Sequence, residues 1–95
     1  MKLVWRAEAR QDLSSILAYI GERNQRAADD LLDRVNACAG KLPDHPFLYR
    51  AGRREGTREA VVHPNYILVY RVTAGTVEIV NVLHTRREYP PAEPQ

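Results

Sequence analysis

The apolar residues of this 95-residue chain change their spacing once, and that change limits the fold more than any motif does. Ala9, Leu13, Ile16, Leu17 and Ile20 recur in steps of three and four, and so do Ala28, Leu31, Leu32, Val35, Cys38 and Ala39. That is the period of a helix with one buried face. From Thr57 onward the spacing is that of strands. "TREAVVH", "YILVYRVT" and "VEIVNVLH" are rich in β-branched and aromatic residues and are separated by the turn signals "HPNY" and "AGT".

The break points sharpen both halves. The spacing predicts helices over "AEARQDLSSILAYIGERN" and "QRAADDLLDRVNACAGKL", with Asn24 as N-cap of the second. Asp29 and Asp30 are expected in its first turns, where the helix dipole favours acids. Gly21 ends the first helix or weakens its last turn, and Gly40, Pro43 and Pro46 stop the second. So short a link between helices predicts an antiparallel hairpin. "KLVW" reads as an N-terminal or edge strand. Strands joined by such tight turns pair antiparallel. The expected fold is therefore α+β: an N-terminal strand, an antiparallel helical hairpin, then a three-stranded antiparallel meander completing one sheet. Residues 1–90 form one domain and 91–95 a flexible tail, since "YPPAEPQ" can neither pair nor coil. In "YILVYRVT", Tyr66, Leu68, Tyr70 and Val72 share one face, and Ile67, Val69 and Arg71 the other. Both sides of "VEIVNVLH" are apolar, as in a strand covered on both faces. The sheet face away from the helices is expected to be partly open.

Charge separates the halves again. Residues 1–49 carry seven basic and seven acidic side chains. Residues 50–87 carry Arg50, Arg53, Arg54, Arg58, Arg71, Arg86 and Arg87 against Glu55, Glu59 and Glu78, a net of +4. All the bases there are arginines, whose planar forks suit carboxylates and phosphates. An anionic partner would be drawn to that half. The one cysteine, Cys38, cannot form an internal disulfide, which suits a reducing cytoplasm, and it reads as a small buried helix residue. The N-terminus has no run long enough for a signal peptide, and no stretch approaches the roughly 20 apolar residues of a membrane span. No Cys/His cluster has metal spacing and no Gly-rich loop fits a phosphate cradle, so neither metal nor cofactor is expected.

The order and spacing of "AEARQDLSSILAYI", "AADDLLDRV", "GTREAVV", "YILVYRV" and "VEIVNVLHTRREYP" resemble the ParE/RelE superfamily of type II toxin–antitoxin toxins, over nearly the whole chain from Val4 to Pro90. The long hairpin and "VLHTRR" are similar to the ParE side. The resemblance implies a cytoplasmic, growth-inhibiting toxin that stabilises plasmids and is neutralised by a ParD-like antitoxin. It implies DNA gyrase as the target, poisoned by binding without catalysis. Operator DNA would be reached only through the antitoxin, as a homodimer or a toxin–antitoxin hetero-oligomer. Arg50, Arg53, Arg54, Arg58, Arg71, Arg86 and Arg87 are the candidates for contact with target or antitoxin.

The alternative that the resemblance implies is a RelE-like, metal-independent endoribonuclease acting on mRNA at the ribosome. There Arg58 and Arg71 match family arginines, His84 and Tyr89 match the histidine or tyrosine acid, and Glu55 or Glu59 serves as base. Such chemistry needs a base for the 2′-hydroxyl, cations for phosphate charge and an acid for the leaving oxygen. The only lysines are Lys2 and Lys41, so the lysine cluster of the RelE type is absent. A second alternative is an inactive toxin that works only in an autoregulatory antitoxin–DNA complex. The plain reading of Arg58 and Arg71 is ion pairing with Glu59, Glu78 or antitoxin acids. That of Arg53 and Arg54 is a solvated turn, that of His84 a strand end, and that of Tyr89 packing at the sheet edge.

Overall fold

A computed structural model describes residues 1–86; Arg87, Tyr89 and the expected tail lie outside the described residues. The helical period becomes two helices of 17 residues each, α1 (Ala7–Arg23) and α2 (Gln25–Lys41). Asn24 alone joins them. Its backbone is extended (φ −158°, ψ 100°), its N–H donates to the Ile20 carbonyl, and its side chain accepts from Ala27 N–H at 3.1 Å. One residue thus closes the first helix and caps the second, which satisfies backbone groups that both ends would otherwise leave unpaired. Gly21 lies inside α1 rather than ending it. Asp29 and Asp30 fall beyond the first turn of α2, where the dipole is already weak. Asp29 instead accepts a hydrogen bond from Gln25 Nε2 at 3.0 Å.

The sheet has five strands: β1 (Lys2–Trp5), β2 (Arg50–Ala51), β3 (Arg58–His63), β4 (Tyr66–Thr73) and β5 (Thr76–His84). Their order is β1-β5-β4-β3-β2. Only β1, paired with β5, is parallel to its neighbour. The meander and the N-terminal strand are those the sequence predicts; β2 is an addition. It is two exposed residues long and pairs with Arg58 and Glu59. Beyond it the outer edge of β3 has no partner strand among the described residues, and Val61 there is 55% exposed. Gly75 turns β4 into β5 with φ +72°, a conformation that costs a residue with a Cβ.

Both helices pack on one face of the sheet, α1 against β5 and α2 against β3. The core between them holds Leu31, Val35 and Ala39 of α2 against Leu68, Tyr70, Ile79 and Val82 of the sheet. Tyr70 is fully buried, and its hydroxyl donates to the Pro46 carbonyl at 2.8 Å, tying the segment after α2 to the sheet. Ile67, Val69, Val80 and Leu83 form a second buried cluster on the other face. The middle of that face is buried while Val61, Arg71 and Glu78 beside it keep exposure, so the face is partly open as expected, and β5 is buried on both sides as its composition predicts.

A bulge interrupts the β4–β5 ladder: Val69 faces Asn81, but Tyr70 faces Ile79, leaving Val80 as the extra residue. The extra residue inverts the alternation of β5. Val77 and Ile79 before it, and Val82 after it, all reach the helix-side core. Asp12 on α1 fastens the spot, its Oδ2 accepting from Asn81 Nδ2 at 2.9 Å and Val82 N–H at 3.1 Å.

Three titratable groups sit together in and beside the core. Burial pushes the Cys38 thiol up. The hydroxyl of Tyr49 is raised first by its hydrogen bond to Cys38, and that of Tyr70 first by burial. An acid whose folded pKa is raised stabilises the fold below its unfolded pKa and loses that contribution as pH climbs past it. The urea midpoint should therefore fall steadily between about pH 8.5 and pH 10, the ordinary thiol and phenol range. A midpoint constant over that interval would contradict the assignment.

Candidate functional site

The sequence-predicted residues divide among three places. The first is the basic loop between β2 and β3. Its shape rests on tight backbone contacts: Gly52 N–H donates to the Thr57 carbonyl at 2.8 Å, and the Thr57 hydroxyl donates to the Arg54 carbonyl at 2.7 Å. A Cβ at Gly52 would collide with the Thr57 hydroxyl and crowd its backbone, so the loop requires glycine there. Glu59 anchors the loop from below. It is 2% exposed, accepts from the Arg53 backbone N–H at 3.0 Å, and pairs with Arg50 at 3.4 Å and Arg53 at 3.7 Å. A carboxylate so enclosed has no path to a substrate proton. Arg54 and Glu55 lie exposed on the same loop.

Arg58 begins β3 but turns inward to the chain. Nη1 donates to the Tyr49 carbonyl at 2.7 Å, and the guanidinium lies 4.9 Å from the centre of the Phe47 ring. It clasps the 43–49 segment to the sheet; neither Glu59 nor Glu78 is its partner. Glu78 instead meets Arg6, at 4.0 Å.

Arg71 is the second place. It stands opposite Glu78 in the ladder, on the face away from the helices. Among the described residues it makes no ion pair or side-chain hydrogen bond.

The third place is the opposite end of β4. Tyr66 faces His84 across the ladder, with ring centres 5.2 Å apart and edge to face. His63 tilts against the same ring at 5.7 Å. His84 Nδ1 accepts from Arg86 N–H at 3.1 Å and His63 Nδ1 accepts from Asn65 N–H at 3.0 Å. An imidazole that accepts at Nδ1 presents Nε2–H on its other side. Asp12, Ser15, Ile16 and Tyr19 of α1 face this end across an open groove of about 690 Å³, completed by Asn65, Tyr66, Val82 and His84. Arg86 is exposed beside it.

The structure thus brings Arg50 and Arg53 together around Glu59, fastens Arg58 to Tyr49, and sets His84 at the opposite end of β4. Arg58 pairs with Tyr70 and His84 with Tyr66, four residues apart on β4, a separation of about 13 Å along the strand. Arg71 is on the other face. Without the bulge, strict alternation would set His84 on the side of Glu78 and Arg71. Sequence reading missed Asp12 and Tyr66 as members of a groove. The signal was an acid on the inward side of α1, and "HPNY" held it too, though that stretch reads first as a turn. Among the described residues no group of three or more histidines, cysteines or acids is placed to hold a metal ion. No helix among them is long and apolar enough to cross a membrane.

A helical hairpin on one face of a mixed five-stranded sheet is the architecture of ParE/RelE-type toxins. The toxin-fold chain of a chromosomal ParDE TA system from P. aeruginosa superposes with a TM-score of 0.77 at 16% identity, covering 88% of this chain and 95% of that one. The chain belongs to the ParE toxin family of type II toxin–antitoxin systems, whose family model, described as the ParE toxin of parDE, matches residues 3–89. It is similar to Toxin RelE2 of Caulobacter vibrioides, 35% identical over 86 residues that cover 90% of this chain and 97% of the relative. It is also similar to the putative toxin Y4kP of Sinorhizobium fredii, 32% identical over 90 residues, 94% and 93% of the two chains.

The anchoring role of Glu59 is directly measurable. Glu59→Ala removes the acceptor of the Arg53 N–H and the carboxylate that Arg50 and Arg53 share. Because those guanidiniums are exposed, solvent screens much of the ion pairing. A loss of about 2 kcal/mol is expected in urea unfolding, with faster amide exchange over residues 52–57. Unchanged exchange there would show that the loop holds its shape without Glu59.

Proposed function

We propose that this chain is the toxin of a type II pair that inhibits DNA gyrase by binding, and that a cognate ParD-like antitoxin neutralises it in the cytoplasm. The observation that carries the binding reading is the dispersal of the cationic and imidazole groups. Transition-state stabilisation of phosphoryl chemistry needs charges converging on one phosphate. Arg58 is committed to Tyr49 and Phe47, Glu59 to the loop, and Arg71 and His84 lie on opposite faces. What the chain does present is a fixed arginine loop, suited to recognition of acidic groups. The ParE family and the ParDE system of the P. aeruginosa structure support an antitoxin partner. The unpaired edge of β3, with exposed Val61, and the loop beside it are the surface we assign to that antitoxin.

The second reading, ribosome-dependent mRNA cleavage, is favoured by one observation: a 35% identical relative is named a RelE toxin. His84, with Nε2–H beside Tyr66, would be its acid. An autoregulatory complex without toxicity is the remaining alternative.

A paired assay separates them. The full chain should trap gyrase-cleaved plasmid DNA and leave ribosome-bound mRNA intact. Cleaved mRNA that disappears on His84→Ala, with supercoiling untouched, would transfer the proposal to the nuclease; no effect in either assay or on growth would leave the autoregulatory role. For the antitoxin, Arg53→Glu with Arg54→Glu should slow association about tenfold or more, and added salt should slow the wild type likewise. An association rate indifferent to salt would remove this surface from the interface.

A further inference from the structure

The groove between α1 and the far end of β4 has a chemistry opposite to that of the basic half around it. Among the described residues its lining includes a carboxylate, Asp12, and no lysine or arginine. The Nδ1 of His84 is already engaged by the Arg86 N–H. Asp12 is held in place in advance: both its hydrogen bonds from the bulge of β5 land on Oδ2. Oδ1 accepts none from the described residues, and Asp12 is only half-buried. The walls are aromatic. Tyr66 is steadied by His84 and His63, and Tyr19 is 58% exposed. Tyr19 already demonstrates its preference, for the guanidinium of Arg23 lies 4.3 Å from its ring centre and Arg23 is not among the lining residues.

A fixed carboxylate with an open lone pair, set between aromatic faces, selects a cation. A phosphate would meet Asp12 as a like charge. A lysine would satisfy the charge but not the flat surfaces, whereas a guanidinium forks onto a carboxylate and stacks on a ring at once. We propose that this groove receives one arginine side chain of a protein partner, its guanidinium hydrogen-bonded to Asp12 Oδ1 and stacked between Tyr66 and Tyr19. The site does not depend on whether gyrase or the ribosome is the target. It gives a bound partner a polarity: acids at the Arg50–Arg53 end of the sheet, one base at the Tyr66 end.

The test uses amide NMR spectra of the full chain with three probes: acetyl-Gly-Arg-Gly-amide, its citrulline counterpart, and adenosine monophosphate. Citrulline keeps the shape of arginine and removes the charge. The arginine peptide should shift the amides around Asp12, Ser15, Asn65 and Tyr66, saturating in the millimolar range expected of a single side chain. The citrulline peptide should bind about tenfold more weakly or worse, and the nucleotide should leave these amides unmoved. Ser15→Lys supplies a cation within the groove from an exposed helix position, where it disturbs no core contact. It should abolish the arginine response while leaving helical circular dichroism unchanged. Equal responses to the arginine and citrulline peptides would overturn the proposal. So would an arginine response that survives Ser15→Lys, or nucleotide shifts centred on Tyr66.

Discussion

The burial of four successive residues in β4, Ile67 to Tyr70, on both faces of the sheet is the constraint from which the rest follows. A strand with no exposed side is packed on both of its faces. The helical hairpin covers one face, and Leu68 and Tyr70 are where it lands. On the other face Ile67 and Val69 pack with Val80 and Leu83. With side chains packed on both sides, the register of β4 cannot slip, since a shift by one residue would exchange its two faces. The loop at one end and the imidazole–phenol cluster at the other are therefore held at a fixed separation, as two sites on one ruler.

Much of this was legible in the residues. The two helices, the cap at Asn24 and the three meander strands follow from spacing and turn chemistry, because each is a local signal repeated over many positions. β2 was not legible: Arg50 and Ala51 are two exposed residues whose pairing is set by the loop beneath them, not by their own pattern. The bulge was not legible either, and it matters more. Reading β5 as a regular alternation puts His84 on the face of Arg71; one extra residue at Val80 turns it to the face of Tyr66. Asp12 looks like any polar residue of an amphipathic helix until the chain of β5 is brought beside it. Carboxylates at a distance of seventy positions from their hydrogen-bond donors leave no periodic trace.

The charge pattern changes meaning in the same way. Seven arginines in the C-terminal half look like one positive surface. In the fold they have different tasks. Arg58 holds a segment, Arg50 and Arg53 brace a buried acid, and Arg71 stands opposite Glu78 on the face away from the helices. Counting cations locates a field; only the contacts tell which cations are left to act on a partner.

The parallel pairing of β1 with β5 joins the two ends of the chain: Lys2 lies opposite Thr76 and Trp5 opposite Ile79. Closing so long a loop is entropically costly and is rewarded only when the last strand is available. Val77, Ile79 and Val82 also complete the core beneath the hairpin, so the helices have no finished surface to rest on before β5 arrives. During synthesis the core is consequently incomplete until β5 has left the ribosome. The hairpin, complete by Lys41, must wait with its apolar face incompletely covered for a strand that begins only at Thr76.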